Sequence, residues 1–367
     1  MKEIRVVITG GHAGATAYAV IQEIKSQNKN WQIYWIGPET PLEGKKIETI
    51  EQKVFPKIGV KVFSLRSGRI QRKFTVWSIL SILKIPLGFI HAFSIISKVK
   101  PDIVLSFGGY SSYPVVVASW FNRIPVVTHE QTAVAGRANI FSSYFSDKIA
   151  ISRNSSEKFF PKNKTVLTGN PVETNILDIK PKVKISNPPL VFITAGHSGS
   201  VAINDVVEES LTSLLSEFKV VHQTGDFQFD KFINLRNSLA RNQKNNYSVY
   251  GTISPADWPS FMTDCDIIVS RSGANIVSQI MAVKRPAILI PIPFAYKNEQ
   301  MENARLAEEF GIVEILEQKN LNKESLLKLL AKIRKTWSKM VFGVRDKKSP
   351  DILAAKNIVN LIQTFIK

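Results

Sequence analysis

Short runs of β-branched and other apolar residues recur along the chain, separated by stretches whose apolar positions return every three or four residues. In the first half the runs fall at 5–9, 32–37, 103–107, 126–128, 148–151 and 165–168, with helix-period segments such as 16–27 and 113–121 between them. Strands alternating with helices in this way predict a parallel sheet covered on both faces. The pattern restarts at 190–194 and continues at 218–223, 248–250, 267–270, 287–291 and 311–315, with helices at 275–282 and 300–310. Both series open alike: VVITGGHAGATAYAV at 6–20 is echoed by VFITAGHSGSVAIND at 191–205, 185 residues later. The sequence therefore predicts an α/β protein of two Rossmann-like, doubly wound parallel-sheet domains facing a cleft. The expected divisions are 1–169, 170–343 and a C-terminal helix in 344–367 that packs back on the first domain. Gly169-Asn170-Pro171 is the expected hinge, because glycine is permissive and proline cannot continue a ladder. A surface loop with three lysines and three prolines is expected at 178–189.

Composition narrows this picture. The 367 residues, 44% hydrophobic and 21% charged, suit two globular domains of ordinary size. A single cysteine, Cys265, excludes an internal disulfide framework and suits a reducing compartment. The N-terminus runs straight into a strand, so no secretory leader is expected. The formal charge is +18, and residues 1–164 carry 23 Lys+Arg against 10 Asp+Glu. An anionic partner should thus meet the first half, as a phosphorylated substrate or an anionic membrane surface would. Nucleic acid is not expected, for want of a recognised module and interleaved aromatics. The apolar stretch 74–96 could cross a bilayer by length, but Lys84, Pro86 and His91 interrupt it. Core helices with one face able to touch lipid are expected there, beside the basic flank Arg66, Arg69, Arg72 and Lys73.

Candidate chemistry gathers where strands end in glycine and helices begin. Backbone N–H groups can approach a phosphate there, and the helix N-terminus favours negative charge. Four such places occur: Gly10-Gly11, Gly108-Gly109, Gly196 with Gly199, and Ser272-Gly273-Ala274. One glycine pair is weak evidence, since strand-to-helix turns use glycine for geometry alone; four at strand carboxyl ends point to a ligand lying across the cleft. No Walker pattern, full GxGxxG or zinc-type Cys/His spacing is present. Asp264-Cys265-Asp266 reads as a helix end meeting a strand start rather than as a metal motif, so no metal or cofactor is expected. Among the histidines, His12 follows Gly10-Gly11, where a neutral imidazole could accept a proton. His129 is expected at the cleft rim and His197 in the second glycine turn, while His222 and His91 read as structural.

These residues carry a resemblance that spans nearly the whole chain. TGGH (9–12), FGGYSSYPVVVA (107–118), HEQTAVAGRAN (129–139), TGNPV (168–172), HQTG (222–225), SRSGANIVSQI (270–280) and PIPFAYKNEQMENA (291–304) stand in the order of the MurG-type N-acetylglucosaminyltransferases, glycosyltransferase family 28, which the chain resembles as a divergent member. The resemblance implies a GT-B fold and transfer of N-acetylglucosamine from UDP-GlcNAc to the C4 hydroxyl of the muramoyl sugar of lipid I. It also implies a peripheral enzyme at the cytoplasmic face of the cell membrane, with a lipid-linked acceptor on the first domain and the UDP-sugar on the second. By the same resemblance His12 would be the general base, and Thr9, Gly10 and Gly11 would line the site. Gly108, Gly109, Tyr110, His129, Glu130 and Gln131 would lie on the acceptor side. Backbone groups of Ser272, Gly273, Ala274, Asn275, Ile276, Val277 and Ser278 would meet the diphosphate. Ile253 would sit near the uracil, and Gln300 and Asn303 would bond the sugar.

The chain departs from the family pattern at its opening, where GGTGGH survives only as TGGH, and at five donor-side residues. Gln279 replaces an acidic residue that accepts from the ribose, and Glu173 replaces a basic residue after GNPV. Thr132 replaces an asparagine, and His197-Ser198 replaces Ser-Gln. An amide oxygen accepts without charge assistance, so Gln279 is the weaker partner. Two other readings stay open on these departures: a relative acting on another lipid or glycan acceptor, and a UDP-sugar-binding scaffold with weakened catalysis.

Overall fold

The computed structural model describes residues 3–11, 13–27, 29–38, 40, 49–68, 76–196 and 199–366, with the backbone alone for 50 and 76–84. The chain forms two units, Met1–Thr174 with Pro350–Lys367, and Asn175–Ser349. The crossing therefore lies at 174/175 rather than 169/170, and residues 344–349 stay with the second unit. The physical reason for the first shift is that Asn170 is fixed to the first unit. Its backbone N–H donates to Asp351 Oδ1 at 2.8 Å.

The first unit holds seven strands: β1 (Ile4–Thr9), β2 (Trp31–Pro38), β3 (Lys61–Leu65), β4 (Ile103–Ser106), β5 (Val126–Glu130), β6 (Lys148–Ile151) and β7 (Thr165–Leu167). They run parallel in the order β3-β2-β1-β4-β5-β6-β7. Alternate side chains of β1 feed two cores. Val6 and Ile8 pack with Ala17, Val20 and Ile21 of the helix Gly14–Ser26, and with Ile358, Val359 and Ile362 of the terminal helix Ala354–Gln363. Val7 faces the other way, into Ala92, Ile95 and Ile96 of the helix Val76–Val99 and Val115 and Val116 of the helix Ser112–Phe121. Both faces of a parallel strand are thus buried, and its sequence is continuously apolar. Strand β3 was not expected from the sequence, because at the sheet edge only Leu65 of its five residues is buried.

The second unit repeats the plan with β8 (Leu190–Ile193), β9 (Lys219–Gln223), β10 (Tyr247–Tyr250), β11 (Ile267–Ser270), β12 (Ala287–Leu289) and β13 (Val313–Ile315). The parallel order is β10-β9-β8-β11-β12-β13. Val191, Ile193, Val220, Ile267 and Val269 pack under the helices Val201–Glu217 and Lys323–Gly343, where the Trp337 indole donates to Asp266 O at 2.9 Å. In each sheet the order reverses beside the first strand, between β1 and β4 and between β8 and β11. Open α/β sheets bind ligands at such a switch point, beyond the carboxyl ends of the strands.

The apolar stretch after residue 74 becomes the helix Val76–Val99, which carries Pro86. Among the described residues no helix is long and apolar enough to cross a membrane. Asp264-Cys265-Asp266 joins the helix Trp258–Asp264 to β11, and among the described residues no cluster could hold a metal ion.

Candidate functional site

At the first switch point the ends of β1 and β4 are bound edge to edge. Thr9 O accepts from Phe107 N at 2.8 Å, and Gly11 N donates to Gly108 O at 2.8 Å. Gly109 has φ +96°, and a Cβ there would stand 2.8 Å from Gly11 N, so the two glycine turns touch backbone to backbone. Ser111 Oγ donates to Gly10 O at 3.3 Å, closing the pair from above. The Thr9 hydroxyl is buried here without a hydrogen-bond partner. Tyr110 lies half-buried in the same turn, and Gln131 Nε2 reaches Phe107 O at 3.4 Å. His12, the next residue along from Gly11, lies outside the described residues, as does His197.

His129, expected at the rim, is instead buried, as is Glu130. The loop after β5 turns back over them, drawn in by the Glu130 carboxylate. Glu130 accepts from Thr132 N at 3.0 Å, Thr132 Oγ1 at 2.8 Å, Gly136 N at 2.9 Å and Asn139 Nδ2 at 2.8 Å. Burial raises its pKa against those four donors. His129 Nε2 lies 3.0 Å from Gly169 O and 3.2 Å from Ser152 Oγ, and burial lowers its pKa to about 4. Thr132 is thus engaged with Glu130, and Glu173 lies half-buried at the end of the same unit.

A pH dependence follows. His129, and His222 with a pKa lowered to about 3, stay neutral when folded and regain their ordinary value near 6.5 when unfolded. Their contribution is complete above about pH 6.5, and is lost as pH falls because the unfolded chain takes up protons the native one refuses. Each adds a slope of up to about 1.4 kcal/mol per pH unit. Glu130 acts oppositely, contributing stability at low pH that fades as pH rises past its ordinary value. Melting temperature should therefore fall between pH 6.5 and 4.5, and less steeply in His129→Gln. An equal fall in both proteins would refute this assignment.

The second switch point is built from β8 and β11. Ser270 and Ser272 are buried, and their hydroxyls have no hydrogen-bond partner. Gly273 begins the helix Ala274–Val283, whose N-terminus has no side-chain cap. Gly273 has an ordinary φ of −64°, and a Cβ there would meet nothing within 4 Å. Neither backbone geometry nor packing requires glycine at this position. Gly196 is similarly open. Ala274, Asn275 and Ile276 are half-buried at this end of the helix, while Val277, Ser278 and Gln279 turn inward. Asn303 Nδ2 holds Ser272 O at 3.2 Å, and Gln300 Oε1 accepts from Ile292 N at 3.1 Å. Ile253 is buried just beyond the end of β10. Gln279 Oε1 accepts from the Trp258 indole at 3.0 Å, a link the sequence did not foretell.

Two residues that the sequence reading passed over belong to this rim. One is Ser270. The other is Arg271, which donates to Ile290 O at 3.0 Å and Ser200 Oγ at 2.7 Å and joins the end of β12 to the start of the helix Val201–Glu217. Their signal was the SRSG string itself, a buried strand ending in small polar residues around one cation.

A separate feature of the first unit is a connected set of rings. Phe89 meets Tyr113 at 6.0 Å, Tyr113 meets Phe145 at 6.1 Å, Phe145 meets Trp120 at 5.3 Å, and Phe93 meets Phe121 at 5.6 Å. Around it Leu87, Ile90, Trp120, Phe121, Phe141 and Tyr144 are exposed, Ile90 by 67% and Tyr144 by 71%. Exposed apolar side chains this contiguous mark an interaction surface.

Comparison with known proteins agrees with both halves. Residues 6–151 match the glycosyltransferase family 28 N-terminal domain, and residues 190–358 match its C-terminal domain. A UDP-N-acetylglucosamine–N-acetylmuramyl-(pentapeptide) pyrophosphoryl-undecaprenol N-acetylglucosamine transferase of Clostridium botulinum is 30% identical over 376 aligned residues, covering 100% of both chains. The corresponding transferase 2 of Bacillus cereus is 30% identical over 89% of this chain and 90% of its own. The crystal structure of MurG from Acinetobacter baumannii superposes with a TM-score of 0.67 at 23% identity, covering 98% of this chain and 99% of that one.

Proposed function

The chain belongs to glycosyltransferase family 28, and on that premise we propose that it transfers N-acetylglucosamine from UDP-N-acetylglucosamine to the muramoyl sugar of lipid I, forming lipid II. The observation that carries the donor half is the second switch point. An uncapped helix N-terminus, an open Gly273 and two orphaned serine hydroxyls converge there. Backbone donors at such a place suit a diphosphate, and they stabilise the negative charge that grows as UDP departs.

The reaction is a single inverting displacement. The acceptor hydroxyl oxygen forms a bond to the anomeric carbon as the bond from that carbon to the β-phosphate oxygen breaks. His12, following the paired glycine turns of the first unit, takes the hydroxyl proton. UDP leaves with its charge held by amides of the Ala274–Val283 N-terminus, and no metal is called on in this scheme. Gln300 and Asn303 are assigned to the sugar and Ile253 to the uracil.

The exposed ring cluster, together with the basic excess of residues 1–164, supports peripheral attachment of the first unit to an anionic membrane surface. A Trp120→Glu/Phe121→Glu variant should bind anionic vesicles about tenfold more weakly, as expected from loss of two apolar contacts. Sedimentation with vesicles of stated phosphatidylglycerol content measures this, and unchanged partition would remove the surface from the role. For the activity itself, labelled UDP-GlcNAc is incubated with lipid I. Transfer to lipid I supports the proposal, binding without transfer supports a scaffold, and transfer only to other lipid-linked sugars redirects the acceptor.

A further inference from the structure

A buried polar network lies beneath the glycine turn of the second unit. Its consecutive residues His222, Gln223 and Thr224 reach that turn by two routes, one from Gln223 through Thr194 and one from His222 through Asn204 to Thr224. Gln223 Oε1 accepts from Thr194 Oγ1, which in turn accepts from Gly196 N at 3.3 Å. Thr224 O accepts from Asn204 Nδ2 at 2.9 Å. This carbonyl lies directly against Gly199, where a Cβ would stand 1.9 Å from it, and Gly199 has φ +71°.

His222 fixes the amide that fixes Thr224. Asn204 Nδ2 donates to Thr224 O and to Gln228 Oε1 at 2.6 Å, so its Oδ1 is the atom facing His222. Since Oδ1 only accepts, His222 Nε2 carries the proton of their 3.0 Å bond, and Nδ1 accepts from Tyr247 OH at 2.9 Å. One tautomer satisfies every partner. Arg271 holds the far side of the same turn through Ser200 Oγ.

We propose that His222, Gln223 and Thr224, acting through Asn204 and Thr194, are positioning residues that set the height of the Gly196 and Gly199 backbone and so its affinity for the donor's diphosphate. This rests on the donor assignment made above for the second unit and adds the Gly196 and Gly199 backbone to the helix N-terminus as a further contact for the diphosphate. None of the five side chains need touch the donor.

The test is the affinity for UDP and for uridine, by calorimetry on the full chain, in wild type and in Asn204→Ala, His222→Phe and Thr194→Val. Phenylalanine keeps a ring against Phe232, which His222 meets at 4.8 Å, but makes neither hydrogen bond. The expected result is a rise of about tenfold in Kd for UDP, corresponding to loss of roughly one positioned hydrogen bond, with Kd for uridine changed less than about twofold. Equal weakening of both ligands would show a general structural role and overturn the proposal, as would an unchanged UDP-to-uridine ratio. If the His222 or Asn204 variants fail to fold, Thr194→Val decides, because valine matches threonine in size and removes only the Gly196 and Gln223 links. A wild-type chain that binds uridine no more weakly than UDP, or binds neither, would sink the donor assignment itself.

Discussion

Alanine in place of His12 is expected to lower turnover by about 10²–10⁴-fold, the range for loss of a general base, while UDP affinity stays within about twofold. The argument starts from β1. Its carboxyl end lies at the switch point of the first sheet, beside β4, and Gly10 and Gly11 there meet Gly108 and Gly109 backbone to backbone. His12 is the next residue in the sequence. A neutral imidazole has the pKa to accept a proton near pH 7, and nothing in the donor assignment requires it for nucleotide binding. Single-turnover transfer with saturating UDP-GlcNAc measures the chemical step, and calorimetry with UDP provides the control. Turnover within about fivefold of wild type would remove the histidine from its role.

Arg153→Ala should destabilise the first unit by about 3–5 kcal/mol, which is what stranding one member of a buried ion pair costs. Arg153 grips Asp351 with two nitrogens, Nη1 to Oδ1 at 2.6 Å and Nη2 to Oδ2 at 2.7 Å, and Asp351 is fully buried. Asp351 also receives the Asn170 amide, and Asn357 Nδ2 reaches Thr168 O at 3.2 Å a turn further on. Removing the guanidinium takes away the two-nitrogen grip on a carboxylate that lies in the interior. The loss is large beside the stability of about 5–15 kcal/mol usual for a domain. Urea denaturation followed by tryptophan fluorescence measures it. Because a buried pair is replaceable by apolar side chains, Arg153→Met combined with Asp351→Leu should recover at least half of the deficit. A single variant within about 1 kcal/mol of wild type would show that solvent reaches the carboxylate.

The double sheet was legible in the sequence because buried parallel strands are continuously apolar and each is followed by a helical period. The echo between 6–20 and 191–205 marked the two places where a sheet begins. Strand β3 escaped because Lys61 and Ser64 interrupt an edge strand that buries only Leu65, so neither a continuous run nor clean alternation is left to read. In the site, glycine turns were visible for a physical reason: Gly108, Gly109, Gly196 and Gly199 all have positive φ, a demand that the residue type itself announces. Side-chain direction was not visible. His129 and Glu130 end a strand at the expected rim, yet the loop that Glu130 gathers by four hydrogen bonds covers them. The same limit applies to Gln279, whose partner Trp258 stands on another helix, and to His222, whose partner Asn204 lies 18 residues earlier. Such pairings depend on packing angles between elements, which local periodicity does not encode.

The path of the polypeptide makes the second unit an insertion. Synthesis completes residues 1–174, then all of 175–349, before 350–367 emerges to close the first hydrophobic core with Ile358, Val359 and Ile362. The first unit's core is therefore complete only with the last segment of the chain, whereas the second unit is one continuous segment. Frameshifts or proteolytic trimming near the carboxyl terminus would injure the amino-terminal fold and spare the neighbouring one.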